Sequence, residues 1–231
     1  MRKILGSFLL SALLLVGCAS GGTNDARAFE KAPLFGMLYD EENQPCAGVK
    51  LAVDGAASKS DTGLVTDIRG RFMLPDLSRG EHSLMATKEG YEQLTVKILF
   101  QNRTDVLFLR IISFGQLLAK AEKALEERKW DDAEMFLVRA EKLEAGDTVL
   151  QFLRAVKAYK TEKFDDAVDL LNGILDKEVR EPSIYLFLAD IYQKNLSDPQ
   201  RAIESLEGFL TKRADSDVEK RLAALKEGVK K

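Results

Sequence analysis

The sequence predicts a two-part fold: a small antiparallel β-sandwich, then a solenoid of about three helix pairs closed by a capping helix. Three observations carry this expectation. Residues 33–111 hold short apolar runs with partial alternation, separated by turn-rich stretches at intervals near ten residues. From residue 112 proline and glycine thin out, Ala, Leu, Glu and Lys dominate, and small residues return every 34 positions. Ahead of both lies a basic start, 13 uncharged residues and a cysteine.

That leader is justified first. Arg2 and Lys3 precede Ile4–Val16, a run too short to cross a bilayer, which takes about 20 apolar residues. Its length suits the apolar part of a secretory signal peptide. The run Leu15-Val16-Gly17-Cys18 resembles the bacterial lipobox. The resemblance implies cleavage after Gly17, a diacylglycerol thioether on Cys18 and acylation of the new amino end. Residues 1–17 are thus expected to be a lipoprotein signal peptide, and residues 18–32, with the polar "SGGTNDA", a flexible tether. Each buried methylene contributes about 0.8 kcal/mol, so two or three chains on one cysteine make release negligible. The mature protein is expected to lie on a membrane without spanning it. Residue 19 is alanine, not aspartate, which by the lipoprotein resemblance implies the outer membrane, facing the periplasm.

Composition narrows the function classes. The 231 residues are 45% hydrophobic and carry a formal charge of −3, with no basic stripe to bind nucleic acid. With Cys18 acylated, Cys46 has no intramolecular partner. It reads as a small, half-buried residue near a strand start, with an intermolecular thiol as the sharper alternative. His82 is the single histidine and no CxxC pair accompanies it, so no metal site is expected. No Ser/His/Asp set is visible around it, and Gly21 and Gly22 belong to the tether, not to a phosphate loop. No enzyme, and no cofactor beyond the covalent lipid on Cys18, is expected.

In the β half, "FGMLYD", "GVKLAVDG", "GRFMLPDL", "EHSLMAT", "LTVKILF" and "DVLFLRII" read as strands. Asp67 and Gly70 suit a tight hairpin turn that delivers Phe72 to the core. Leu77 and Leu84 flank a second turn at Gly80. A calcium site from Asp54, Asp61, Asp67 and Asp76 lacks a ligand rhythm. Gly36 with Asp40, Pro45 with Gly48 and Val49, Thr66 through Phe72, Leu77 through Leu84, and Gly90-Tyr91 together resemble the carboxypeptidase regulatory-like domain. His82 stands where that pattern usually has tyrosine. The resemblance implies a prealbumin-like sandwich and brings no peptidase activity with it.

In the helical half, Ala121, Ala155 and Ala189 recur every 34 residues, and Ala133, Ala167 and Ala202 follow at 34 and 35. Trp130, Phe164 and Pro199 precede the second set. These positions resemble the tetratricopeptide repeat (TPR), which implies helix pairs stacked into a curved solenoid. Asp131 and Asp165 are expected to cap the second helices. Ala145 and Arg154 depart from the family pattern. Residues 217–230 read as the capping helix.

The repeat resemblance also implies a partner-binding groove along the first helices: Leu118, Glu122 and Leu125; Phe152, Val156 and Tyr159; Leu186, Asp190 and Gln193. Phe152, Val156 and Tyr159 share one face by spacing. Lys160 and Lys194 are the available stand-ins for a carboxylate clamp. The expected function is a membrane-anchored scaffold holding an unidentified envelope protein or peptide. The alternative is a surface-displayed adhesin or carbohydrate-binding lipoprotein working through the sandwich. The short apolar link "RIISFGQ" predicts a fixed junction between residues 33–111 and 112–231.

Overall fold

A computed structural model of the chain describes residues 30–54, 56–57, 64–177 and 181–229. The predicted signal peptide, Cys18, most of the tether and Asp61 lie outside these residues.

The β half contains β1 (Lys31–Asp40), β2 (Lys50–Val53), β3 (Ala56–Ala57), β4 (Leu64–Val65), β5 (Arg71–Ser78), β6 (Gly80–Thr87), β7 (Leu94–Phe100) and β8 (Val106–Ile111). One sheet has the order β5-β1-β8. The other has β3-β2-β6-β7, with β4 also on β2. The pairing is not wholly antiparallel, as the sequence led us to expect. β1 runs parallel to β8, in register from Phe35–Val106 to Asp40–Ile111. The first and last strands lie side by side because the chain crosses to the second sheet and returns between them. β5 passes to β6 through Arg79 alone, so the expected turn at Gly80 is a corner between sheets.

Alternation drives the two sheets together. Leu34, Leu38, Leu51, Phe72, Leu74, Leu84, Phe100 and Leu109 form one buried cluster. Gly36 is required there, since a Cβ would overlap the Phe72 ring. Gly70 has φ +70°, donates its N–H to the Asp67 carbonyl at 2.9 Å, and packs so tightly that a Cβ would collide with the Leu38 carbonyl. Asp67 adds bonds from the Arg69 and Arg71 N–H groups and an ion pair to Arg71 at 2.8 Å. Asp40 holds the following turn by accepting from the Glu42 and Gln44 N–H groups. Thr66 is buried, donating to the Cys46 carbonyl at 2.6 Å and accepting from Val49 N–H at 2.9 Å. The motif residues are thus structural. Cys46 itself is buried, and that burial, with Asp40 nearby, pushes its thiol pKa up. A buried, protonated thiol suits packing and disfavours the intermolecular reading.

The helical half contains α1 (Phe114–Glu126), α2 (Trp130–Glu144), α3 (Thr148–Lys160), α4 (Phe164–Leu175), α5 (Ser183–Lys194), α6 (Pro199–Lys212) and α7 (Ser216–Val229). These form three helix pairs and a final helix, the architecture of a tetratricopeptide solenoid. All six repeating alanines, from Ala121 to Ala202, are fully buried, which is why larger side chains are excluded from those spots. One expectation is corrected. Asp131 and Asp165 lie inside the first turns of α2 and α4, where Lys129 and Lys163 hold the cap positions without side-chain bonds. The aspartates act on the helix dipole instead. True caps are Ser113, in a reciprocal box with Gln116, Asp147 and Asp198.

The junction is built, not merely short. Ile112 follows β8 directly and is buried in the first-repeat core beside Leu117 and Leu153. Phe114 N–H donates to the Gly90 carbonyl at 2.8 Å, and Glu92 N–H to the Ile112 carbonyl at 2.9 Å. Arg139 of α2 grips the Glu92 carboxylate through two bonds, at 2.9 and 2.6 Å, and Lys120 reaches Glu41 at 3.3 Å. The planar fork fits the carboxylate with little loss of freedom. The Arg139–Glu92 pair should show a coupling of about 1 kcal/mol in a double-mutant cycle. NMR relaxation should give one tumbling time for both halves of the intact chain, and two distinct times would refute a fixed junction.

Candidate partner-binding groove

The residues expected to line a groove lie on the first helices of the repeats, α1, α3 and α5. On α3 the apolar spacing continues one turn further than expected. Val149 is 53% exposed, and with Phe152, Val156 and Tyr159, all half-buried, it makes a stripe along one face. Glu122 of α1 is exposed, while Leu118 is half-buried in the first-repeat core together with Val156.

Other expected lining residues are corrected. Leu125 is 2% exposed, enclosed between α1 and α2, so it serves the core and not a ligand. Phe152 meets the Phe187 ring at 6.2 Å, and Tyr159 meets Phe187 at 5.1 Å and Phe164 at 5.8 Å. Part of each ring is therefore spent on stacking the second repeat against the third. Sequence spacing missed Phe187 because it lies one residue after Leu186, the position the repeat pattern assigns to the groove.

The third repeat is closed by α7. Leu186 packs in the cluster containing Val218 and Leu222. Arg221 forms an ion pair with Asp190 at 2.6 Å and donates to Gln193 Oε1 at 2.7 Å. Lys194 also pairs with Asp190, at 2.9 Å. Burial opposes ionisation of Asp190, but these two cations outweigh it and hold its pKa below the usual carboxylate range. Leu186, Asp190 and Gln193 are thus engaged by the capping helix, and Lys194 is not free to clamp a carboxylate. Lys160 is exposed at the end of α3. The candidates left exposed are Glu122 on α1 and Val149 and Lys160 on α3.

A Ser/His/Asp constellation does assemble, though spacing did not reveal it. His82 is buried, with Nδ1 2.7 Å from Asp54 Oδ2 and Nε2 2.8 Å from the Ser78 carbonyl and 3.4 Å from Ser78 Oγ. When the ring is protonated, both nitrogens donate, one to the Asp54 carboxylate and the other to the Ser78 carbonyl. In that form Nε2 has no lone pair for the Ser78 proton, and the ring braces Asp54 against the Ser78 carbonyl. Burial lowers the His82 pKa, but the bonds to Asp54 and Ser78 and the Asp54 charge outweigh it and raise it above 6.5. Asp54 is lowered by its bonds to His82 and Ser83 N–H. For His82 the added stability is complete below pH 6.5 and is lost as pH rises through the raised folded value. Melting temperature should therefore fall from pH 6 to pH 8, and Asp54→Asn should flatten that slope. Equal slopes in the two proteins would refute the brace. Among the described residues, no three His, Cys, Asp or Glu side chains gather to hold a metal.

Residues 33–107 match the carboxypeptidase regulatory-like domain family. No curated protein matches the chain. Among solved structures, the TPR2AB domain of yeast Sti1, in a pHSP90 complex, is 22% identical. It covers 51% of this chain and 47% of its own, with a TM-score of 0.44. The N-terminal domain of STI-1 from C. elegans is 16% identical, covers 49% and 94%, and scores 0.43. The major pilin subunit BcpA of Bacillus cereus is 16% identical, covers 36% and 28%, and scores 0.29. The chain thus spans less than half of the yeast TPR2AB chain it matches.

Proposed function

We propose that the protein is a non-enzymatic scaffold, anchored by lipid on Cys18 in a bacterial cell envelope, that holds an extended or helical segment of another protein in the groove of its first two repeats. The observation that carries this reading is the α3 stripe. Val149, Phe152, Val156 and Tyr159 line one face with Val149 more than half exposed, and stacked helix pairs present such faces to partners. Glu122 and Lys160 at its margins supply charges of both signs to fix a segment's direction. The single histidine is consumed by the His82–Asp54 brace, which further supports a binding role.

The test is site-specific photocrosslinking in native membranes. A photoreactive residue at Val149 and one at Glu122 should capture the same discrete protein. One at Val138, exposed on α2, should not. Equal capture at all three sites, or none at Val149 with the chain folded and anchored, would defeat the reading.

A further inference from the structure

One large apolar surface is not used by the groove. On the three-stranded sheet β5-β1-β8, the face turned away from the sandwich core carries Phe35, Met37, Met73, Val106 and Phe108. Register makes them neighbours: Phe35 sits across from Met73 on one side and Val106 on the other, and Met37 sits across from Phe108. Phe108 is 66% exposed, Phe35 and Val106 50%, and Met73 43%. A sheet face in water ordinarily alternates to polar residues on its outer side, and an apolar cluster of this kind marks a contact.

The same face carries Lys31, Arg71 and Arg110 at exposed strand positions. Asp67 neutralises Arg71, while Arg110 donates to the neutral Asn43 amide oxygen at 2.6 Å. The exposed carboxylate within these strands, Asp76, lies in the bulge of β5, away from Arg71. Apolar side chains flanked by Lys31 and Arg110 suit the boundary between anionic headgroups and acyl chains. The position of the anchor selects that occupant. Lys31, the first residue of β1, follows Cys18 by 13 residues, a reach of at most about 45 Å even when extended. Lys31 and Phe35 are among the first outward positions that the chain supplies after the anchor.

We infer that this outer sheet face lies on the lipid bilayer, with Phe35, Met73 and Phe108 at the depth of the headgroup–acyl boundary. The inference rests on the reading of Cys18 as the lipid attachment site. It adds a second, reversible contact that fixes the orientation of the sandwich on the membrane.

The test uses the lipidated full chain on vesicles of phosphatidylethanolamine and phosphatidylglycerol, with Trp130→Phe to remove the single native tryptophan. Phe108→Trp reports from the proposed face and Leu99→Trp from the outer side of the other sheet, where Leu99 is 56% exposed. Brominated lipid should quench Phe108→Trp at least about twofold more than Leu99→Trp. Adding Phe35→Asp should abolish the difference while the chain still floats with the vesicles. Equal, weak quenching at both sites on floating chains overturns the inference, whether the face then proves to bind a glycan, another protein or a second copy of the chain. A chain that does not float overturns the anchor reading instead. The same quenching is then measured with the chain held by an amino-terminal hexahistidine on a nickel-chelating lipid, and equal quenching there overturns the inference independently.

Discussion

Cys18→Ala should release the protein from the membrane fraction almost completely, and labelling with a palmitate analogue should disappear with it. The size of the effect follows from acyl-chain arithmetic. At about 0.8 kcal/mol per methylene, one chain holds reversibly, while two or three make dissociation negligible. The described residues contain no helix long and apolar enough to cross a membrane, and the apolar run of the leader is itself short. Nothing else described here would anchor the chain as firmly, because the apolar sheet face offers only reversible adsorption. Fractionation of cells that make the variant, with a label chase, checks the prediction. Unchanged membrane retention of an unlabelled Cys18→Ala protein would refute lipid anchoring. Retention that depended on salt would point to the sheet face acting alone.

Gly70→Ala should destabilise the β half by about 3 kcal/mol. Two costs add: about 1 kcal/mol for a side chain at positive φ, and about 2 kcal/mol for forcing a methyl group against the Leu38 carbonyl. The obstacle is backbone, so no rotamer relieves it. The Leu38 N–H also donates to the Gly70 carbonyl at 2.8 Å, which ties any retreat of the turn to loss of the bond that follows the Met37–Arg71 pair of β1 and β5. For a unit of this size the loss corresponds to a fall in melting temperature of roughly 12–24 °C. Gly173→Ala is the contrast. It lies within α4 with open space at the Cβ position, and alanine there should add up to about 1 kcal/mol. Thermal melts of the two variants should shift in opposite directions, and a neutral Gly70→Ala would refute the account of the turn.

The division into strands and helices was legible because periodicity records burial. Ala121, Ala155 and Ala189 are small for a packing reason that repeats every 34 residues, so self-similarity exposed the helix pairs without any contact being known. Gly70 and Phe72 were legible for a similar reason: one turn geometry and one core direction admit few residues. The parallel β1–β8 pair was not legible, since alternation gives which face a residue takes but not its strand's neighbour. The groove was half legible. Repeat spacing located α3's stripe and Glu122, but it could not say that Leu125 turns inward or that Arg221 comes back onto Asp190 and Gln193. Those outcomes depend on the tilt of one helix against another. The His82–Asp54 brace joins residues 28 apart through the pairing of β2 with β6, and no local pattern encodes that pairing. Even the apolar sheet face was hidden, because Phe35, Met73 and Phe108 are each unremarkable until register sets them side by side.

The parallel pairing of β1 with β8 has a mechanical consequence. The chain enters the sandwich at Lys31 and leaves it at Ile111 toward the helices, at opposite ends of the paired strands. Tension between an anchor before Lys31 and a cargo held by α3 would pull β1 and β8 past each other along their length. The rungs from Phe35–Val106 to Asp40–Ile111 would then bear the load together in shear, where an antiparallel neighbour would open one rung at a time like a zipper. Rupture in shear requires many bonds to fail at once, so a sandwich loaded in that way would resist having its two ends drawn apart.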